Sequence, residues 1–363
     1  LFHPRERGDL QRALGQAFHR TRVRQVSDRL WLAPLGGLAA VLPLSYPEPI
    51  RRLTLASTRR TVESCLEQLG FGHCIFWFYW WFYPELALFP QAALTVYDCI
   101  DQHGSYPHNA RLTGLQTASR RLEKRLLTAV DAAFFVSPGL FGEKHALTRH
   151  AYLCPNGIDL AVADSALAFQ APPTDIAQLP RPVIGYAGDV GTRVDWQLVR
   201  ALASRHPQWS FVFAGGARHA AVPLLPNVHV MPSRPYQEMM RTIRDFDVAI
   251  LPMADSTFNR GTSPMKLLDY LITGQPIVAH PLPAVTALAC ETPGLMRTAT
   301  TLDEWSEALE ASLDEPHGSP WETLRKTTAR RHSTTARTQT MLGHAAVVFA
   351  GKERQGKEHV HGS

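Results

Sequence analysis

Cysteine is scarce in this sequence, and what there is does not pair. The five cysteines, Cys65, Cys74, Cys99, Cys154 and Cys290, are odd in number, widely scattered and without a Cys-x-x-Cys pair. This argues against a disulfide framework and predicts buried free thiols in a reducing compartment. Long apolar runs are also missing: none reaches the ~18 residues that cross a bilayer, and the most hydrophobic stretch, 74–83, is only strand length. No Walker loop, Gly-x-Ser-x-Gly elbow or His-Glu-x-x-His helix occurs, and His359 and His361 in the polar tail have no ligand spacing, so no metal site is expected. Nor does either sign of charge dominate. Lys and Arg exceed Asp and Glu by 37 to 32, a net +5, which suits an anionic small ligand or an inner membrane surface as readily as nucleic acid. No zinc-finger or RNA-recognition motif accompanies it, so no nucleic-acid partner is expected.

What is present is the material of two ordinary globular domains: 363 residues, 45% hydrophobic and 19% charged. Short apolar strands alternate with helices. The sequence predicts helices over 57–70 and 111–129, and strands at 74–80, 94–98, 132–136 and 152–155. Between 164 and 181 the chain turns rich in Ala, Pro and Gln, as a linker would, and the alternation then restarts. Further strands are predicted at 183–187, 210–214, 228–231, 248–251 and 276–280, with a helical tail from 302 to 350 broken near 316–320. The domains are therefore drawn as 1–168 and 181–320, with linker 169–180, a tail helix 321–350 and a disordered 351–363. The fold class is α/β, two Rossmann-like parallel-sheet domains facing a cleft.

The most informative segment is Gly261-Thr-Ser-Pro-Met-Lys-Leu-Leu-Asp-Tyr-Leu-Ile-Thr-Gly-Gln-Pro-Ile-Val-Ala. Ser263 followed by Pro264 reads as a helix start, with Ser263 as the side-chain cap and Pro264 at the first helical position. Lys266 then stands in the first turn, where the helix dipole disfavours a cation unless an anion is near. A diphosphate would resolve that conflict, and Asp269, one turn on, can accept from a ribose hydroxyl. The bland alternative is an amphipathic helix with a solvated lysine. Arg193, past the glycine loop 185–191, either approaches a phosphate bidentately or lies solvated on the surface. That loop lacks the Gly-x-Gly-x-x-Gly spacing, and Phe211–Ala214 runs into Gly215-Gly216 without an acid, which argues against an NAD site. The aromatic run 76–83 reads mostly as core, with Trp80, Trp81 and Tyr83 placed to meet a sugar or lipid.

The 261–279 segment resembles the donor-binding motif of GT-B glycosyltransferases, close to the retaining enzymes of family 4. Matching stretches run in order along almost the whole chain: Val96-Tyr-Asp-Cys-Ile-Asp, Val136-Ser, Cys154-Pro-Asn-Gly-Ile-Asp, Val183-Ile-Gly-Tyr-Ala-Gly-Asp, Phe211-Val-Phe-Ala-Gly-Gly, Arg234-Pro-Tyr-Gln-Glu and Phe246-Asp-Val-Ala-Ile-Leu-Pro. The resemblance implies transfer of a sugar, with retention, from a nucleoside diphosphate sugar to a hydroxyl of a glycan or lipid-linked acceptor. It puts Gly188, Arg193, Thr262, Ser263 and Lys266 around the diphosphate, Asp269 on the ribose, and Arg234 and Tyr236 beside the base. Asp101 and His103 become the candidates for holding the acceptor hydroxyl or stabilising charge near the sugar. The co-substrate is a UDP- or GDP-sugar, and no tightly bound cofactor is expected. The tail helix is expected to return to the N-terminal domain, in a cytoplasmic enzyme with an optional peripheral membrane contact through the basic 5–24 face. Two departures stand out. Many members carry an acid eight positions before the ribose-binding one, where this chain has Gly261. The opening strand and glycine-rich loop of the family also have no counterpart before Arg5, so the chain reads as cut at its start, with a nucleotide-binding but inactive relative as the alternative.

Overall fold

The computed structural model describes residues 23–33, 48–105, 113–168, 173–216 and 222–361. The expected basic 5–24 face lies almost wholly outside them, as do 169–172 of the expected linker. A short antiparallel hairpin, β1 (Arg24–Ser27) and β2 (Leu30–Leu32), comes first. Helix α1 (Glu48–Leu69) follows and begins nine residues earlier than predicted from sequence, and the proline at position 49 falls in its first turn, where it is tolerated.

Four parallel strands form the first sheet in the order β3 (Cys74–Phe78), β4 (Ala92–Cys99), β5 (Ala132–Phe135), β6 (His150–Leu153). Side chains of a strand alternate between faces, and both faces here are apolar. Tyr97, Cys99, Ala133 and Phe135 pack with Leu122, Leu126 and Leu127 of α2 (Thr113–Ala129). Leu94, Val96, Ala132 and Phe134 on the other face meet Met341, Ala345 and Val348. Those last three belong to the final helix of the chain. Two short helices follow strand ends, α3 (Pro138–Lys144) after β5 and α4 (Leu160–Leu167) after β6, and a one-turn helix α5 (Thr174–Ala177) stands within the linker.

The second sheet is also parallel and has the order β12-β11-β10-β7-β8-β9, where β7 is Val183–Ala187, β8 Ser210–Ala214, β9 Val228–Met231, β10 Val248–Leu251, β11 Ile277–Ala279 and β12 Arg297–Thr298. Helices α6 (Trp196–Arg205), α7 (Tyr236–Arg244), α9 (Met265–Thr273), α10 (Pro283–Glu291) and α11 (Leu302–Leu313) pack against it around one continuous core, and a single turn, α8 (Thr257–Arg260), precedes α9. The chain runs β7, β8, β9 outward and then returns to the other side of β7 with β10. The strand order thus reverses between β7 and β10, and such a switch point opens a crevice at the carboxyl ends of the strands.

The helical tail breaks twice rather than once. Helix α12 (Pro320–Arg331) stays on the second domain, where the buried Arg325 donates to the Leu295 and Gly274 carbonyls and to Glu315. After a break at His332–Ser333, α13 (Thr334–His361) crosses to the first sheet. The crossing is tied down by a parallel bridge between Ile158 and Ser333. Arg337 of α13 pairs with the fully buried Asp98 at 2.7 Å, and Lys352 with Asp131 at 2.8 Å. The expected disordered stretch from 351 is helical to His361, since its first residues continue a helix already anchored on the sheet.

Candidate functional site

The loops that leave β7 and β10 meet over the switch point. The Asp195 N–H donates to the Pro252 carbonyl at 2.8 Å and the Ala254 N–H to the Arg193 carbonyl at 2.9 Å. Gly188 opens the first loop at φ +132°, a region that favours glycine. A Cβ there would lie 2.7 Å from Cε and 2.9 Å from Nζ of Lys266. Only a residue without a side chain lets the lysine stand so close to that backbone.

Lys266 is the second residue of α9. Its ammonium donates to the Tyr186 hydroxyl at 2.6 Å and lies 4.4 Å from the centre of that ring. The expected cap is displaced by one residue: Pro264, in extended conformation, occupies the cap position, and no side chain caps the helix. Ser263 stands outside because its carbonyl accepts from Asn156 of the first domain at 3.1 Å, which draws the strand-like 262–264 segment away from a helical path. The helix closes at Gly274, φ +88°, in the left-handed conformation usual for a C-terminal glycine.

Arg193 is half-buried, not solvated. Nε donates to Asn259 Oδ1 at 3.0 Å and Nη2 to Thr262 Oγ1 at 3.2 Å, and the guanidinium lies 4.9 Å from the centre of the Phe258 ring. Asn259 returns a bond to the Arg193 carbonyl. Gly188 and Lys266 thus lie together against Tyr186, and Arg193 lies against Thr262 just before the start of α9. Asp269 lies one turn along, and its Oδ1 accepts from the Tyr236 hydroxyl at 2.8 Å. Burial raises the Asp269 carboxyl to about 6, against the opposing pull of the Tyr236 bond and the Lys266 charge. Arg234 turns inward instead of toward the crevice: its side chain is 6% exposed and pairs with Asp175, Glu238 and Thr242.

On the first domain, Asp101 and His103 follow β4. Asp101 Oδ1 accepts from the Gln102 N–H at 3.0 Å. His103 is 3% exposed, with its ring stacked 3.9 Å from that of Trp81. Burial, then the Lys144 charge, lowers its pKa to about 3, so the imidazole is neutral. Trp81 and Tyr83 are core residues rather than a surface platform. Beneath this loop lies a buried charged group absent from the sequence reading. Lys144 Nζ donates to both oxygens of Glu123 at 2.9 Å, and the Tyr97 hydroxyl donates to the same carboxylate at 3.0 Å.

The seam between domains was not foreseen from sequence either. Ser137 caps α3 by accepting from the Leu140 N–H at 3.1 Å and donates to the Gly261 carbonyl at 2.7 Å. A Cβ on Gly139 would fall 2.2 Å from the Arg260 carbonyl oxygen, and one on Gly261 would fall 2.8 Å from Gln102 Cβ. Gly261 is thus the residue the domain contact requires, which leaves no room there for the acid common in the resembling family. The signals were in the sequence as Val136-Ser and Pro155-Asn, but only the pairing of distant segments gives them a role.

Residues 181–315 match the family model described as Glycosyl transferases group 1. The putative teichuronic acid biosynthesis glycosyltransferase TuaH of Bacillus subtilis (strain 168) is 24% identical over 230 residues, 59% of this chain and 57% of that protein. The chain thus spans somewhat over half the length of that relative. Among solved structures, the fold is similar to sucrose-phosphate synthase from Thermosynechococcus elongatus, with a TM-score of 0.59 and 14% identity over 96% of this chain and 88% of that one. It is also similar to the α,α-trehalose 6-phosphate synthase from Burkholderia multivorans, with a TM-score of 0.66 and 12% identity over 92% and 88%. Residues 181–315, the second domain, are thus similar to glycosyl transferases group 1, and the two-sheet frame that carries them has the GT-B fold.

Proposed function

We propose that the chain is a nucleotide-sugar-dependent glycosyltransferase that acts with retention on a UDP- or GDP-sugar and a glycan or lipid-linked hydroxyl. The observation that carries this reading is the placement of two cations beside the start of α9, next to the switch point. Lys266 lies against a glycine backbone in the first turn of α9, with Arg193 held beside Thr262 by Asn259. Two cations converging on a helix N-terminus suit a diphosphate. The ribose then falls to Asp269 and the base to the start of α7 around Tyr236. The glycan class of acceptor is supported by the name of TuaH, which concerns teichuronic acid biosynthesis. A cytoplasmic enzyme with peripheral membrane contact suits a lipid-linked acceptor; among the described residues no helix is long and apolar enough to cross a membrane.

In this reading the acceptor hydroxyl enters from the Asp101–His103 side and attacks the anomeric carbon on the face that the diphosphate leaves. The C–O bond to phosphate breaks with its electron pair. The departing phosphate oxygen takes the acceptor proton while Arg193 and Lys266 counter the charge that develops. The neutral His103, with a pKa near 3, is too weak a base for that proton, which supports the phosphate as its destination.

Differential scanning fluorimetry with UDP, GDP, ADP and dTDP tests the reading. A diphosphate at about 100 times its Kd should add about 2.7 kcal/mol of stability. The shift should shrink in Lys266→Ala, and the enzyme supplied with the matching nucleotide sugar should lose roughly 10²–10³ in kcat with that change. Wild-type protein that responds to no diphosphate would refute the site.

A further inference from the structure

Two of the polar groups that the proposed donor site offers to a ligand are already engaged by tyrosine hydroxyls. The Lys266 ammonium donates to Tyr186 and Asp269 accepts from Tyr236. The two tyrosines differ in freedom. Tyr186 lies within β7, is fully buried, and its hydroxyl donates onward to the Asp189 carbonyl at 3.0 Å, so it is part of the wall. Tyr236 is the first residue of α7, follows Pro235, and is 39% exposed. An aromatic side chain at an exposed helix start can change rotamer without disturbing a core.

We infer that Tyr236 is a specificity-determining exchange partner: its hydroxyl stands where a ribose hydroxyl of the nucleotide will stand, and a ligand must supply that hydroxyl to displace it. The inference rests on the donor-site reading above. Its physical basis is that Asp269 is held in a largely enclosed position, where a carboxylate without a donor is costly. Other charges face the pair from each neighbouring element: Lys266 from the preceding turn of α9 and Asp159 from the start of α4. With Tyr236 donating, the carboxylate is satisfied. A ribonucleotide replaces one hydroxyl donor with another, whereas a 2′,3′-dideoxynucleotide either leaves the tyrosine in place or strands the carboxylate.

The exchange predicts a sign opposite to that of an ordinary lining residue. Truncating a residue that merely contacts a ligand weakens binding, but removing a competitor for Asp269 strengthens it. We expect Tyr236→Phe to tighten the nucleoside diphosphate that stabilises the wild type by about ten-fold, the order of one hydrogen bond to a charged group. The 2′,3′-dideoxy analogue should gain less, which widens the ribose preference. In an Asp269→Ala background the same substitution should have no effect on affinity, a double-mutant cycle that isolates the pair. Titration calorimetry of the four proteins with both ligands reads all of this, and melting curves establish that each is folded. Weaker or unchanged ribonucleotide binding by Tyr236→Phe, with the wild type still binding, overturns the exchange and leaves the donor site standing. An equal gain in the Asp269→Ala background overturns it too. A wild type that binds no diphosphate overturns both readings.

Discussion

Asp269 shows how a single residue couples the site to pH. Its folded pKa of about 6 lies above the ordinary carboxylate value of 3.8. Between those values the folded chain holds a proton that the unfolded chain has lost, so stability falls as pH rises from about 4 to about 6 and is level above. Asp269→Asn should remove this dependence and gain on the order of 2 kcal/mol at pH 7 relative to the wild type. Urea denaturation of both proteins at pH 5 and pH 7.5 measures it, and parallel curves would show that the carboxyl is not perturbed. His103 works in the opposite sense. Its depressed pKa makes the folded state lose stability as pH falls from about 6.5 toward 3, so the comparison between variants, rather than the wild-type profile alone, isolates Asp269. The same scale shows what a sequence hides. Lys266 was conspicuous as a cation at a helix start, whereas the inward turn of Arg234 depends on Asp175, 59 residues away in the chain.

Elements were legible where local pattern and tertiary packing agree. The strands expected at 210–214, 228–231 and 248–251 form on those residues, because each is a short, mostly apolar run between turn residues; the first and last are buried throughout, and the edge strand 228–231 is partly buried. The hairpin of β1 and β2 was missed, since its side chains are exposed and carry no core pattern. The buried pair beneath the His103 loop was equally hidden. Glu123 faces inward from α2 and Lys144 from the end of α3, with side chains 4% and 6% exposed. A surface reading of either helix would put both in solvent. Such a pair is costly to break, because the survivor is left buried and unpaired. Lys144→Met should therefore destabilise the chain by about 3–5 kcal/mol, and Lys144→Met with Glu123→Gln by clearly less. Chemical denaturation of the single and double variants decides this, and equal losses would mean that the pair is not coupled.

At the scale of the whole molecule, the two domains meet through glycines. Gly139 lies under the Arg260 carbonyl and Gly261 against Gln102, with the Ser137 and Asn156 bonds alongside. Restoring an acid at 261, as many resembling enzymes have, should cost activity here rather than add it, because the side chain would wedge Gln102 away. We expect Gly261→Glu and Gly139→Ala to lower turnover by at least ten-fold, on the scale of a small misplacement at a reacting centre. Their nucleotide affinity should change far less, since the proposed donor site lies in the second domain. Small-angle scattering should show a larger radius of gyration for both variants. Unchanged scattering together with unchanged turnover would show that the seam does not govern the cleft.

The return of α13 to the first sheet also fixes an order of maturation on the ribosome. The strands β3 to β6 are synthesised first, yet among the described residues the cover of the face bearing Leu94, Val96 and Phe134 is Met341, Ala345 and Val348, which emerge last. The second domain, contiguous from β7 to α12, is complete before then. Synthesis therefore finishes the later half of the protein first, and the earlier half waits with an apolar sheet face open to solvent, the kind of surface that recruits chaperones or aggregates. A chain that stops short of Thr334 would keep its second domain and never close the first.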